Sequence, residues 1–232
     1  MKRISDILIV ASTKFEVNQI IDKLNSGNKT KLGNATFIYK NLNIDILISG
    51  IGIPSTTYFL TKKLTDNKYD LVINIGICGS FKDSLQVGEV VNVIEDEFAD
   101  LGITDVNNNF LSLFDEGFAS ENEFPFIKGK LISTFNDCKI NLPKVTGITV
   151  NATSGNAEQI LMRKEKFNAD IETMEGAAVA FICLNEGVDF IQIRSISSPV
   201  EPRNKENWNI PLAIKNLSGS VIEVLDELDA LL

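Results

Sequence analysis

The chain has 232 residues, 44% of them hydrophobic and 23% charged, with a formal net charge of -9 and a pI near 4.7. That length supports one sizeable domain whose core needs neither disulfide nor metal, and the acidic balance excludes a nucleic-acid backbone as partner while leaving room for a local positive pocket for a small anion. There is no histidine, which removes Ser-His and Cys-His nucleophiles, imidazole acid–base chemistry and the commonest zinc ligand, so proton transfer falls to carboxylates, hydroxyls, lysine, tyrosine or water.

Met1 to Asp6 is basic but interrupted by Asp6, and the apolar run Ile7–Ala11 is too short for a signal peptide. No segment approaches the roughly 18–20 apolar residues that span a bilayer, so the expectation is a cytoplasmic protein with no membrane partner. Ile7–Ala11 instead reads as a strand buried on both faces. A helix follows over Phe15–Leu24, with Val17, Ile20, Ile21 and Leu24 on one side, then a polar turn from Asn25 to Gly33. Thr36–Tyr39 and Ile44–Ile48 read as strands around a turn at Asn41–Asn43. Ser49-Gly50-Ile51-Gly52-Ile53-Pro54 opens a helix to about Leu64, with Pro54 in the first turn, where its missing amide hydrogen costs nothing.

Leu71–Ile75 is a second fully buried strand, ending in Gly76-Ile77-Cys78-Gly79-Ser80, and Val87–Ile94 a third. Asp96 to Pro125 has little periodicity and reads as loop. Val145–Val150 is strand-like, Ala157–Phe167 helical, Gly176–Asn185 a helix of small and apolar residues, Phe190–Ile196 a buried strand, and Ile210–Leu231 a long amphipathic helix. Cys78, Cys138 and Cys183 are far apart, without Cys-x-x-Cys spacing, and read as reduced thiols in or near the core. Buried strands alternating with helices, without repeat or linker, predict a single α/β domain over residues 1–232, with a mainly parallel central mixed sheet flanked by helices. Ligands collect beyond the carboxyl ends of such strands, where Ser12–Glu16, Ser49–Gly52, Gly76–Ser80 and the residues from Ser197 onward fall.

The segments with chemistry concentrate late in the chain. Glu172-Thr173-Met174-Glu175-Gly176-Ala177-Ala178 places an apolar, polarizable methionine beside a carboxylate at the start of a small-residue helix, a combination suited to one face of a sugar and its vicinal hydroxyls. Arg194-Ser195-Ile196-Ser197-Ser198 follows, then Glu201-Pro202-Arg203-Asn204 and Trp208-Asn209-Ile210-Pro211. Glu172 and Glu175 also suit a solvated acidic helix start, and Glu16 a first helical turn that favours acid. The glycines of the Ser49–Gly52 and Gly76–Ser80 segments serve either tight turns or the close approach of backbone amides to a ligand.

The Met-Glu-Gly/Ala helix followed by an Arg-x-Ile-Ser strand resembles the nucleoside phosphorylase and nucleosidase superfamily, and Glu-Pro-Arg-Asn with Trp-Asn-Ile-Pro resembles its futalosine hydrolase branch. The resemblance covers nearly the whole chain and implies the phosphorylase/hydrolase-like fold, a homo-oligomer, no metal or organic cofactor, and a nucleoside as small-molecule partner. It implies hydrolysis of the N-glycosidic bond of futalosine to hypoxanthine and dehypoxanthine futalosine, in menaquinone biosynthesis. Glu16 then polarises the attacking water, Glu175 holds ribose hydroxyls as positive charge builds on the sugar, Met174 packs on the ribose, and Ser197 and Ser198 hydrogen-bond the departing base. Gly52 and Gly79 line the ribose and base pocket, Phe98 and Asp100 belong to a loop closing this pocket or a neighbouring subunit's, and Glu172 gives support only. Arg203 either pairs with the benzoate of futalosine or fixes its loop through Glu201.

Ser198 departs from the adenine-cleaving hydrolases of the superfamily, which carry an aspartate there, and from the asparagine usual in members acting on hypoxanthine-type bases. A hydroxyl is a poor general acid but hydrogen-bonds a purine. This disfavours a methylthioadenosine/S-adenosylhomocysteine or aminofutalosine nucleosidase, the nearest alternative. A phosphorylase lacks support because the Gly-Asp-Pro-x-Arg type of phosphate segment is absent. A non-catalytic purine-nucleoside sensor is the alternative from another class, and the presence of both Glu16 and Glu175 argues against it.

Overall fold

The continuous apolar runs become strands covered on both faces. In the computed structural model, which describes residues 4–27, 36–107, 109–135 and 140–231, β1 (Asp6–Ala11) leads into α1 (Lys14–Gly27), and β2 (Thr36–Tyr39) turns back into β3 (Leu42–Ile48). Next come α2 (Ile53–Asp66), β4 (Leu71–Ser80) and β5 (Val90–Phe98), then β6 (Gly102–Thr104) and β7 (Phe110–Ser112), which pair as a separate hairpin. The remainder supplies β8 (Leu131–Ile132), β9 (Lys144–Thr149), α3 (Ala157–Phe167), β10 (Ile171–Thr173), α4 (Gly176–Glu186) and β11 (Asp189–Pro199). A 3-10 turn at Lys205–Asn207 and α5 (Ile210–Asp229) complete it.

The sheet order is β10-β9-β5-β11-β4-β1-β3-β2, with β8 beside β5. The central neighbours β3, β1, β4 and β11 run parallel, while β5 lies antiparallel to β11. The sheet also curls onto itself. β10 pairs parallel with β9 and antiparallel with the end of β4, through Ile171↔Ser80 and Glu172↔Gly79, so β4, β11, β5, β9 and β10 form a closed ring. Register shifts at Val93/Glu95 and Ile196/Ser198 supply the local bends that such closure requires.

Side chains of β1 alternate between two cores, as the period of two demands. Ile7, Ile9 and Ala11 meet Val17, Ile20 and Leu24 of α1 and Leu217, Val221 and Leu225 of α5. Leu8 and Val10 meet Leu60 and Leu64 of α2 and Ala177, Ala180 and Cys183 of α4. A strand with helices on both faces is mostly apolar, which is why β1 and β4 are legible as apolar runs, with Asn74 the one polar residue of Leu71–Ile75. Capping residues end the helices where the sequence has turn formers. Asn156 Oδ1 accepts Gln159 N (2.9 Å) before α3, Asn209 Oδ1 accepts Leu212 N (3.2 Å) before α5, and Gly187 closes α4 at φ 66. No helix among the described residues is long and apolar enough to cross a membrane.

Several local expectations are corrected. Gly76–Ser80 is the second half of β4 and not a turn, because its glycines make room for the side chains of Arg194 on β11 and of Val200 just beyond it. The third strand begins at Val90 and extends to Phe98, so Asp96 belongs to the sheet, and β6–β7 interrupts the expected loop. Glu172 lies in β10 instead of at the helix start. Helix α1 continues to Gly27, so Asn25–Gly27 of the expected polar turn are helical; the rest of that turn, residues 28–33, and the thiol of Cys138 lie outside the described residues.

Candidate active site

The C-terminal ends of β1, β4 and β11 open on a cavity of about 480 Å³. Ser12, Thr13 and Glu16 come from the end of β1 and the start of α1, Ile77–Gly79 from β4, and Ser197–Pro199 from the end of β11, with Val200 just beyond it. The β10–α4 junction adds Thr173, Met174 and Glu175.

Glu16 is buried and firmly oriented. Its Oε2 accepts Thr13 N and Thr13 Oγ1, both at 2.9 Å, and its Oε1 accepts Ile77 N at 3.2 Å. The reach back to the residue preceding the helix is half of a capping box, so the helix-start reading and the site reading describe one carboxylate. Three donors leave lone pairs free on an ionised carboxylate for a water.

Glu175 is also buried, and it is the N-cap residue of α4. Its Oε1 accepts Gly52 N at 2.9 Å. Gly52 presents that amide from a backbone at φ 87, and Gly50 precedes it at φ 81, conformations that glycine adopts without steric cost. Gly52 therefore serves the site through Glu175 and is not itself in the cavity wall. Glu175 Oε2 lies 3.9 Å from Arg194 Nη1. Arg194 is fully buried on β11, and its three guanidinium nitrogens have no hydrogen-bond partner among the described residues. A Cβ at Gly76 would overlap the Arg194 guanidinium and come within 2.9 Å of Glu16 Oε1. The glycine thus creates the space in which Glu16 and Arg194 approach each other. A buried cation that is ion-paired but has no hydrogen bond is costly unless something polar completes it, and a water or a sugar hydroxyl fits that requirement.

The other end of the cavity is looser. Ser197 is the extra residue where β11 slips against β4. Its hydroxyl donates to Cys78 O at 3.0 Å, so it can only accept from a ligand, while half-buried Ser198 lines the cavity beside it. Burial pushes the Cys78 thiol up to about 12, which keeps it neutral. Glu172 anchors the neighbouring loop: it accepts Ser154 N at 2.7 Å, Ser154 Oγ at 2.6 Å and Arg163 Nη1 at 2.8 Å. Arg203 lies 5.6 Å over the Trp208 ring and its amide donates to Gly155 O at 3.3 Å. Glu201 takes Asn207 Nδ2 at 2.6 Å. The contact expected between Arg203 and Glu201 is therefore replaced by one with Asn207, and no carboxylate among the described residues lies within 4.0 Å of the Arg203 guanidinium.

The whole arrangement has known relatives. Residues 6–227 match the family model described as the phosphorylase superfamily. The chain belongs to that superfamily. It is 32% identical over 184 residues to a futalosine hydrolase of Streptomyces coelicolor, covering 76% of each chain. It is 28% identical over 185 residues to a futalosine hydrolase of Thermus thermophilus, covering 78% of this chain and 80% of that one. Among solved structures, a futalosine hydrolase of Helicobacter pylori superposes with a TM-score of 0.78 at 19% identity, over 97% of this chain and 98% of that one. A 5'-methylthioadenosine/S-adenosylhomocysteine nucleosidase from Helicobacter pylori gives the same TM-score and identity over 97% and 99%, so this superfamily member shares its fold with both activities.

Of the residues singled out from the sequence, Glu16, Met174, Glu175, Gly79, Ser197, Ser198 and Arg203 line one cavity. Phe98 and Asp100 do not. Phe98 packs on Phe181 of α4, with ring centroids 6.3 Å apart, and Asp100 accepts the Asn151 amide, tying down the start of the loop after β9. Sequence reasoning assigns no role to Arg194 or Asp96. The signal for Arg194 is an arginine inside the buried run Phe190–Ile196, where a charge requires a reason. Burial pushes Asp96 up to about 6, against the hydrogen bonds from Gln192 and Thr149 and the charge of Arg194, and it pushes neighbouring Glu97 up to about 7. Among the described residues no group of three or more His, Cys, Asp or Glu side chains is placed to hold a metal ion.

Proposed function

We propose that the protein hydrolyses the N-glycosidic bond of futalosine, releasing hypoxanthine and leaving dehypoxanthine futalosine. The observation that carries this reading is the pair of buried, amide-anchored carboxylates, Glu16 and Glu175, facing one cavity with Arg194 between them. Glu175 accepts hydrogen bonds from ribose hydroxyls, and its charge stabilises the oxocarbenium-like sugar as the C1′–N9 bond breaks. Glu16 accepts a proton from the water whose oxygen bonds to C1′. Met174 gives the sugar an apolar surface. The base leaves against Ser198, a neutral group that suits a hypoxanthine better than an adenine requiring protonation.

Arg203 carries the second half of the specificity. Its guanidinium, stacked on Trp208 at the cavity mouth, pairs with the benzoate that futalosine bears far from its base. The identities of 28–32% to two futalosine hydrolases favour the same substrate. The exposed apolar side chains Tyr58 and Phe59 of α2 and Phe181 of α4 suit a face for a second copy of the chain, which the mass in solution tests. The thiols of Cys78 and Cys183 are free and buried, in keeping with the reducing cytoplasm as the place of action.

The test is base release from futalosine, aminofutalosine, inosine and methylthioadenosine, each with and without phosphate. Phosphate-independent hypoxanthine release from futalosine is the expected result. Adenine release would place the chain with the adenine nucleosidases, phosphate dependence would make it a phosphorylase, and tight binding without turnover would make it a sensor.

A further inference from the structure

An α-helix leaves its first amides without partners, and the N-cap side chain usually takes one of them. In α4 that side chain belongs to Glu175, which makes no cap hydrogen bond because its carboxylate is turned to Gly52 N and Arg194. The cap is supplied from elsewhere. Gly176 N donates to Thr173 Oγ1 (3.2 Å) and Ala177 N to Thr149 Oγ1 (2.7 Å). Thr149 Oγ1 lies 2.9 Å from Asp96 Oδ1 and 3.1 Å from Thr173 Oγ1.

The directions of these bonds are fixed by counting hydrogens. An ionised carboxylate only accepts, so Thr149 gives its single hydroxyl proton to Asp96. The Thr173–Thr149 contact then takes its proton from Thr173. Thr149 oxygen accepts two bonds and donates one, which saturates it, and every donor in the chain points toward Asp96. Gln192 Nε2 holds the second oxygen at 3.0 Å. All four side chains, Asp96, Thr149, Thr173 and Gln192, are buried. A Cβ at Gly176 would overlap Asp96 Oδ2 and the Gln192 amide, so the carboxylate is packed directly under the first turn of α4.

We infer that Asp96 is a positioning residue that caps α4 from a distance through Thr149 and Thr173, and so leaves the Glu175 carboxylate free for the substrate. A cap made by Glu175 itself would withdraw its carboxylate from Gly52, and the bonds from Thr173 and Thr149 make that unnecessary. Asp96 touches no substrate; it acts through the orientation of Glu175. The ribose part of the inference rests on the nucleoside reading above.

Three variants of the full chain test it: Asp96→Ala, Thr149→Val, which keeps shape but not the hydroxyl, and Thr149→Ser, which keeps the hydroxyl. Two quantities are measured, amide hydrogen exchange along α4, and kcat/KM for inosine and for 2′-deoxyinosine. Asp96→Ala and Thr149→Val are expected to speed exchange at Gly176 and Ala177 by about tenfold or more relative to Ile182 deeper in the helix. They are expected to lower kcat/KM for inosine about 10–100-fold, the range for losing one or two charge-assisted bonds, and for the deoxynucleoside much less. Thr149→Ser is expected to restore both. Unchanged exchange at the two amides, or equal losses on the two nucleosides, overturns the inference. Should Asp96→Ala fail to fold, the contrast between Thr149→Val and Thr149→Ser decides. Should the parent chain release no base from any nucleoside, the functional reading falls and the exchange result alone judges the positioning role.

Discussion

At the inner end of the cavity Glu16 and Glu175 are buried and tied to backbone amides from three different segments, whereas at the outer end Arg203 is exposed and stacked on Trp208, and Ser198 is half-buried. The inner groups are held by the fold itself, through β4, α1 and the turn at Gly52. Of the outer ones, Ser198 lies at the end of β11, while Arg203 and Trp208 ride on the segment between β11 and α5, which adds no strand to the sheet. Bond breaking demands fixed charges, while the choice of substrate can be left to groups that adapt.

Substitutions at the two ends should therefore fail in different ways. The largest loss is expected for Glu175→Gln, about a thousandfold in kcat/KM for hypoxanthine release, because a neutral amide neither stabilises a positive sugar nor accepts equally from Gly52. Glu16→Gln comes next, with kcat lowered about 100–1000-fold and KM little changed, as expected for a group that acts on water. A parallel rise in KM would shift Glu16 toward substrate binding. At the outer end Arg203→Ala should raise KM for futalosine about tenfold and leave inosine unaffected, the scale of a partly exposed charge-assisted pair. Equal behaviour on both substrates would remove the benzoate contact from the account.

The smallest effect concerns stability and lies on β5, at the neighbour of Asp96. Burial raises the carboxyl of Glu97 to about 7, above its ordinary value. The folded chain then holds a proton that the unfolded chain has released, so this contribution is complete below the ordinary carboxylate range and is lost as pH rises toward about 7. Glu97→Gln should flatten the decline of Tm between pH 4.5 and 7.5, and an unaltered slope would assign the decline to other groups.

The frame is legible because parallel strands buried on both faces are written as almost wholly apolar runs, as in Ile7–Ala11 and in Leu71–Ile75, where Asn74 is the one polar residue. Glu16 and Glu175 are legible as acids at helix starts, and the resemblance of their neighbours to a family draws attention to them. Arg194 is harder, since its use depends on what Gly76 lacks, and the vacant volume beside one strand is not written in the sequence of another. The glycines of β4 imitate a turn for a related reason: Gly52 and Gly50 have positive φ, but Gly76 and Gly79 are extended residues whose missing side chains matter more than their freedom. Asp96 reads as a loop residue because its segment mixes acids with aromatics, and only the pairing with β8 and β9 shows that the strand runs on past it.

The ring of β4, β11, β5, β9 and β10 also shapes how the chain must be made. β4 leaves the ribosome with β1 and β3 already made, but its longest partner, β11, and the short β10 that completes the circuit follow only much later. Until then one edge of β4 is unsatisfied and apolar. Contacts so distant in sequence slow folding, and an unfinished chain displays a sheet edge able to pair with its neighbours. The unfinished chain therefore carries its greatest risk of misassembly in the interval before β11 and β10 are made.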